Sequence, residues 1–140
     1  MLEKQSNPIP VCRVVLDTNI LVSYLMQPNG NPAAIVTLVK EGKIVPYYNA
    51  AIMKEYNRVL RYPKLYITAR EIEVIINRMS KKGILLEVEK SIIKMPDEDD
   101  RMFYDLHKVA DAILITGNTK HYPKESSIMK PADFMEYISP

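Results

Sequence analysis

The sequence predicts an α/β domain of three layers, helix on sheet on helix, around a central, mostly parallel sheet of four to five strands. Three observations carry this. Short apolar runs alternate with amphipathic helical stretches along the whole chain. The runs are apolar throughout rather than strictly alternating, as strands covered on both faces are. The 140 residues, 47% hydrophobic and 26% charged, match the composition of one globular unit with enough apolar material for a core. Residues 1–10, "MLEKQSNPIP", read as a loose lead-in, and residues 11–140 as a single domain.

The elements follow in order. "VCRVVLD" (11–17) is β-branched and bounded, which predicts a buried strand. "TNILVSYLM" continues as a short helix and stops at the turn cluster "QPNGNP". A helix from Pro32 to Glu41 opens on proline, as the first helical position allows, and Gly42 ends it. "KIVPYY" is a second strand. Asn49 is placed to cap "AAIMKEYNRVLRY", which must stop before Pro63. Thr68 and Glu71 have capping-box spacing at the start of a helix that ends on Gly83. "ILLEVE" reads as a third strand, "PDEDDRMFYDLHKVA" as a helix with an acidic start, and "AILIT" as a fourth strand. "SSIM" is a short edge strand before a last helix near Pro131.

Composition sets the outer bounds. The formal charge is +2 and the sequence pI about 8.6, which permits a polyanionic partner without demanding one. Cys12 is the only cysteine, so neither an intrachain disulfide nor a multi-cysteine zinc site can form, and its place in an apolar strand predicts a buried, inert thiol. No apolar run reaches membrane-spanning length, and the N-terminal stretch does not read as a secretion signal. The expectation is a cytoplasmic protein with no membrane partner.

In a parallel sheet with right-handed crossovers, the carboxyl ends of the strands share one rim, where sites of open α/β sheets lie. Asp17 ends the first strand. Asn118 follows the fourth, Asp100 lies in the first turn of the helix between the third and fourth, and Glu55 lies in the helix after the second. Three carboxylates in one cleft repel each other and need balancing. The hard cations Mg²⁺ and Mn²⁺ do this with oxygen ligands, acidify bound water and polarise phosphoryl oxygens. The spacing therefore points to phosphoryl chemistry on a polyanion. Taken alone, Asp17 reads equally as the cap of the next helix, Glu55 as a solvated residue paired with Arg58, and the acidic run 97–100 as complements of a helix dipole.

The stretches "VVLDTNILVS", "IMKEYNRVLRYPK" and "DEDDRMFYDLHKVADAILITGNTKHYP" resemble PIN-domain nucleases, especially the bacterial and archaeal set described as toxins of toxin–antitoxin systems. The resemblance covers nearly the whole chain and implies a PIN-like fold. By it, Asp17, Glu55 and Asp100 match the catalytic, metal-binding acids, with Asp99 and Asn118 as further candidate ligands. Thr18, Asn19 and Thr116 match supporting groups on the phosphate side. Many PIN domains carry a fourth acid where this chain has Asn118, which removes one charge. The family implies a Mg²⁺- or Mn²⁺-dependent endoribonuclease, an RNA substrate, a cognate antitoxin and a homodimer. The alternative is a catalytically weak or inactive PIN-fold module that binds RNA or protein.

Other polar residues are read more plainly. Asp97 is the expected cap of the acidic helix, Asp111 serves the turn into the fourth strand, and His107 reads as a surface helix residue. Lys120 and His121 are candidate RNA contacts, and Arg58, Arg61 and Lys64 a candidate basic stripe. Met53, Met79 and Met102 fall at apolar helix positions and read as core. A receiver domain would want an acidic pair after the first strand, and a haloacid-dehalogenase-type phosphatase a D-x-D there. "DTN" offers neither.

Overall fold

A computed structural model describes residues 11–140, and the expected lead-in at 1–10 lies outside the described residues. Among the described residues five strands are present: β1 Cys12–Leu16, β2 Ile44–Tyr48, β3 Ile84–Leu85, β4 Ile113–Ile115 and β5 Ile128–Met129. They form one sheet in the order β3-β2-β1-β4-β5, and every pairing is parallel. Val14 sits at the centre, level with Pro46 on one side and Ile113 on the other. Six helices flank the sheet: α1 Thr18–Met26, α2 Asn31–Lys40, α3 Ala50–Leu60, α4 Ala69–Lys82, α5 Arg101–Ala110 and α6 Pro131–Ile138. The arrangement is the expected three-layer α/β/α fold.

The strand order explains where a site can form. The chain steps outward from β1 to β2 to β3, then returns past β1 to β4. The direction of travel therefore switches between β1 and β4, and the crevice at their carboxyl ends is the usual binding position of such sheets. Helix α5 makes the return and packs on β1, β2 and β4. Val14, Val15 and Leu16 on β1 are fully buried, as are Ile35 and Val39 of α2, Tyr56 of α3, Phe103 of α5 and Phe134 of α6. Each such side chain contributes about 1.5–3 kcal/mol by leaving water. The rim thus stands on the best-packed part of the molecule.

Local signals act as the sequence predicts in several places. Asn49 caps α3 by accepting from the Ile52 N–H at 3.0 Å. Thr68 and Glu71 form the reciprocal capping box of α4. Gly42, at φ +74°, ends α2 in a conformation that side-chain-bearing residues avoid. Gly83 admits no side chain for a different reason: a Cβ there would lie 2.5 Å from the Met79 carbonyl oxygen and 2.6 Å from that of Pro46. Met79 is fully buried, and Met53 and Met102 pack partly buried against the core.

Three expectations change. The third strand is two residues rather than six. It lies at the sheet edge with Ile84 44% and Leu85 58% exposed, so little burial holds it, and the chain leaves as an irregular strap over 86–97. The acidic run does not open the helix directly: Glu98–Asp100 form a 3₁₀ turn, and α5 begins at Arg101. His107 is not a surface residue but is 1% exposed. One of its ring nitrogens meets the Tyr104 carbonyl, and the other lies 3.0 Å from the Ser127 hydroxyl. Burial pushes its pKa down, so the ring is neutral there.

Candidate active site

Asp17 follows β1 at the N-cap position of α1, yet its side chain caps nothing. Instead its Oδ2 accepts from the Thr116 hydroxyl at 2.8 Å and from the Tyr122 hydroxyl at 2.9 Å. Both donors come from the chain leaving β4, so the first and fourth strands are tied at the switch point. The carboxylate is 7% exposed, and its Oδ1 accepts no hydrogen bond among the described residues. The cap reading of Asp17 is thereby displaced: a buried charge held by two hydroxyls is positioned rather than spent on the helix end.

The same connection carries the next groups. The Asn118 N–H donates to Thr116 Oγ1, and the Gly117 N–H donates to Asn19 Oδ1, each at 3.0 Å. The Asn118 amide nitrogen lies 2.9 Å from His121 Nε2, and His121 Nδ1 lies 3.1 Å from Asp100 Oδ2 and 3.7 Å from Asp97 Oδ2. Asn118, His121 and Asp100 therefore form a chain of polar contacts across the rim. Among the described residues, the donor atoms of Asp97, Asp100 and His121 all fall within 4.8 Å of one another. Asp97 also caps its own turn, accepting from the Asp99 N–H at 3.0 Å, as the sequence suggested.

Charge at this rim is unbalanced. The Asp100 carboxyl is raised from 3.8 to about 6, first by burial and then by the negative charges of Asp17 and Asp97. His121 offsets part of this. Burial and the nearby Asp17 also push the Tyr56 and Tyr122 phenols far up, so both stay protonated and act as donors. Tyr56 donates to the Leu16 carbonyl at 2.6 Å, fixing the end of β1 just before Asp17. Thr18 Oγ1 is buried without a partner among the described residues. A half-buried cleft with surplus carboxylate oxygens fits a hard divalent cation, whose charge would relieve that repulsion. Asp97 and Asp100, with the His121 ring, lie within ligand reach of one another and could hold it; Asp17, whose charge acts on Asp100, is not a member of that close group.

The other expected residues are distributed as follows. Glu55 is outside the close group of Asp97, Asp100 and His121, and its carboxylate is paired with Arg58. Asp99 is exposed and also outside the group. Lys120 is exposed beside His121. Arg58, Arg61 and Lys64 do not make a free stripe. Arg58 also contacts the Tyr62 hydroxyl, Arg61 donates to Asn57, and the Lys64 ammonium lies 5.9 Å from the Tyr62 ring centre. Cys12 is half-buried, and burial pushes its thiol up, away from reactivity. Tyr122 is the group that sequence reasoning missed. It stands four residues past Asn118 in the same "TGNTKHYP" stretch. Nothing local marks it, because its partner is 105 positions away.

A parallel sheet with buried carboxylates at its switch point defines a class: α/β proteins that work at the carboxyl rim, here with an acid-rich site. Within that class the chain belongs to the PIN-domain family, matching it over residues 13–120. It is also 35% identical over 109 residues to an uncharacterised protein of Methanocaldococcus jannaschii, an overlap covering 76% of this chain and 70% of the relative. PIN domains are generally metal-dependent nucleases, and the acidic cluster at the rim accords with that. No helix among the described residues is long and apolar enough to cross a membrane.

Proposed function

We propose that the protein is a metal-dependent endoribonuclease using Mg²⁺ or Mn²⁺, with Asp17 and Asp100 as its principal acids and Glu55 as the third. The observation that carries the reading is the pair Asp17 and Asp100: one carboxylate locked by two hydroxyls, the other driven up by burial and then by its neighbour's charge. A bound divalent cation supplies neutralisation of that charge, an acidified water and polarisation of the phosphoryl oxygen. Thr116 and Tyr122 hold one oxygen of Asp17 fixed, and Asn118 and His121 hold Asp100. Attack of water on phosphorus breaks the P–O3′ bond, leaving a 5′-phosphate and, after the departing oxygen takes up a proton, a 3′-hydroxyl. Thr18 and Asn19 support the phosphate side, and Asp99 and Asn118 stand as outer partners. Glu55 joins this set by exchanging Arg58 for the site.

The test is incubation of single-stranded and structured RNA with Mg²⁺ or Mn²⁺, beside Asp17→Asn, Asp100→Asn and Glu55→Gln variants. Metal-dependent cleavage lost in the first two variants supports the site. Cleavage that survives both sinks it, and wild-type rates in Glu55→Gln remove Glu55 from it. A second reading, a PIN-fold module that binds RNA or protein without cutting, is favoured by one observation. Position 118 supplies an amide already engaged with His121 rather than a fourth carboxylate. RNA binding without cleavage in any divalent metal would select it.

The sequence's resemblance to the toxin set supports a finer reading. The enzyme would be a homodimeric cytoplasmic toxin restrained by a cognate antitoxin. This predicts growth arrest on expression, relieved by a co-expressed neighbouring gene product. Unaffected growth would overturn the toxin role while leaving the nuclease assay to stand or fall alone.

A further inference from the structure

We propose that the basic cleft beside the acidic rim holds the phosphodiester backbone of single-stranded RNA next to the bond being cut. The proposal rests on the ribonuclease reading and adds to it where the strand runs. The cleft, of about 480 Å³, is formed between the turn after β4 and the start of α6. Lys120, Lys124 and Lys130 line it, and all three are exposed. No ion pair engages them among the described residues.

The acids of the cleft do not cancel these charges. Glu125 is already paired with the Lys108 ammonium at 2.9 Å and receives the Tyr104 hydroxyl. That leaves Asp133 against three ammonium groups. Lys130 stands at the N-cap position of α6, and among the described residues no carboxylate pairs with its ammonium.

The cleft is also continuous with the site. Tyr122 lines it, and its hydroxyl donates to Asp17, so one residue borders both the cleft and the site. Lys120 directly precedes His121, which contacts Asp100. A polyanion crossing the acidic rim would meet repulsion there and attraction immediately beside it, which fixes the strand's direction of exit. The volume is that of a small-ligand pocket, enough to seat a short stretch of one backbone. Lysines in such a place act as point charges on phosphates and carry no base preference.

The experiment uses the full chain in EDTA, where no cutting occurs, and a short fluorescein-labelled single-stranded RNA read by anisotropy at about 50 to 200 mM salt. The Lys124→Ala/Lys130→Ala chain is expected to bind roughly tenfold more weakly. Its log–log salt slope should be shallower by about 1.4, since each lost phosphate contact on single strands removes about 0.7. The remote exposed pair Lys81→Ala/Lys82→Ala is expected to leave affinity and slope unchanged. Lys124→Gln/Lys130→Gln, with thermal melting of every variant, separates charge loss from misfolding. Unchanged affinity and slope in both cleft variants would overturn the cleft, and metal-dependent cleavage by the same proteins would leave the ribonuclease reading intact. Absence of RNA cleavage and of RNA binding by the unaltered chain would overturn both.

Discussion

Two polar clusters meet on the five residues 97–101, and they differ in charge balance. On one side Arg101 donates to both oxygens of Glu98 and to the Ser91 carbonyl and hydroxyl, while Asp105 accepts from the Ser91 N–H at 2.9 Å and its hydroxyl at 2.6 Å. Every charge has a partner, and the Arg101 guanidinium holds the Glu98 carboxyl below its ordinary range. On the other side the charges of Asp17 and Asp97 act on Asp100, and among the described residues the half-exposed His121 ring is the only basic group in contact with Asp97 and Asp100. The first cluster is closed and ties the 86–97 strap to α5. The second is open and short of positive charge. A fold that satisfies acids so fully one residue away leaves the other acids unsatisfied, which is what the proposed divalent-cation site requires.

The largest break in this contrast comes from Asp17→Asn. The side chain keeps its size and the fold should persist, but the site loses the charge held by Thr116 and Tyr122. Metal-dependent RNA cleavage is expected to fall by more than about 100-fold, on the order of 3 kcal/mol of transition-state stabilisation. Single-turnover cleavage with circular dichroism alongside measures it.

Acidity sharpens the contrast next. The Asp100 carboxyl lies near 6 in the fold against 3.8 ordinarily, so the folded state binds its proton more tightly than the unfolded chain. Its contribution to stability is therefore fully present below about pH 3.8 and is lost as pH rises through about 6. The loss approaches roughly 3 kcal/mol at 1.36 kcal/mol per pH unit. In metal-free buffer Asp100→Asn should be the more stable protein above about pH 6, with the advantage gone below about pH 4. Adding Mg²⁺ or Mn²⁺ at neutral pH should raise the melting temperature of the unaltered chain and barely move the variant. Denaturant unfolding at several pH values reads both effects, and a pH-independent difference would end the claim that Asp100 is strained by its neighbours.

How much of this was legible in the sequence follows the range of the interactions. Asn49 and the Thr68–Glu71 box act within one helical turn, so their roles could be read directly and the structure repeats them. The strand-to-rim logic needed only the order of elements, which placed Asp17, Asp100 and Asn118 along the same edge. The failures are long-range or edge effects. "ILLEVE" has strand composition, but a strand at the sheet edge is held from one side only, and two residues pair. His107 reads as exposed in the sequence because one of the partners of its ring, Ser127, arrives from twenty residues on. Glu55 sits on the expected helix, but its pairing with Arg58, a contact the sequence offered only as the bland alternative, is the one the fold adopts.

The closed cluster should answer to a different change. Asp105→Ala removes a 5% exposed acceptor of two Ser91 hydrogen bonds and leaves those half-buried donors unmatched. Stability is expected to fall by about 2 kcal/mol. Because Asp105 belongs to the balanced side, kcat for RNA should stay near that of the unaltered chain. A collapse of kcat with unchanged stability would mean that the two clusters are one functional unit.

Tyr122→Phe tests the boundary between positioning and charge. The hydroxyl it deletes is one of two donors to Asp17 Oδ2, and Thr116 remains at 2.8 Å. Tyr122 is 3% exposed, so the ring keeps its packing while one buried hydrogen bond to a carboxylate is lost. Stability should drop by about 1.5–3 kcal/mol, the ordinary range for a bond to a charged group. The phenol is held protonated at every working pH, so the substitution changes no charge, and the pH profile of cleavage should keep its shape. What should change is the placing of Asp17. A fall in kcat of roughly tenfold, with KM for RNA unmoved, corresponds to about 1.4 kcal/mol of transition-state stabilisation lost through orientation alone. If KM rises instead while kcat holds, Tyr122 acts mainly as the wall of the lysine cleft. A shifted pH profile would show that its hydroxyl sets the charge of Asp17 rather than its position.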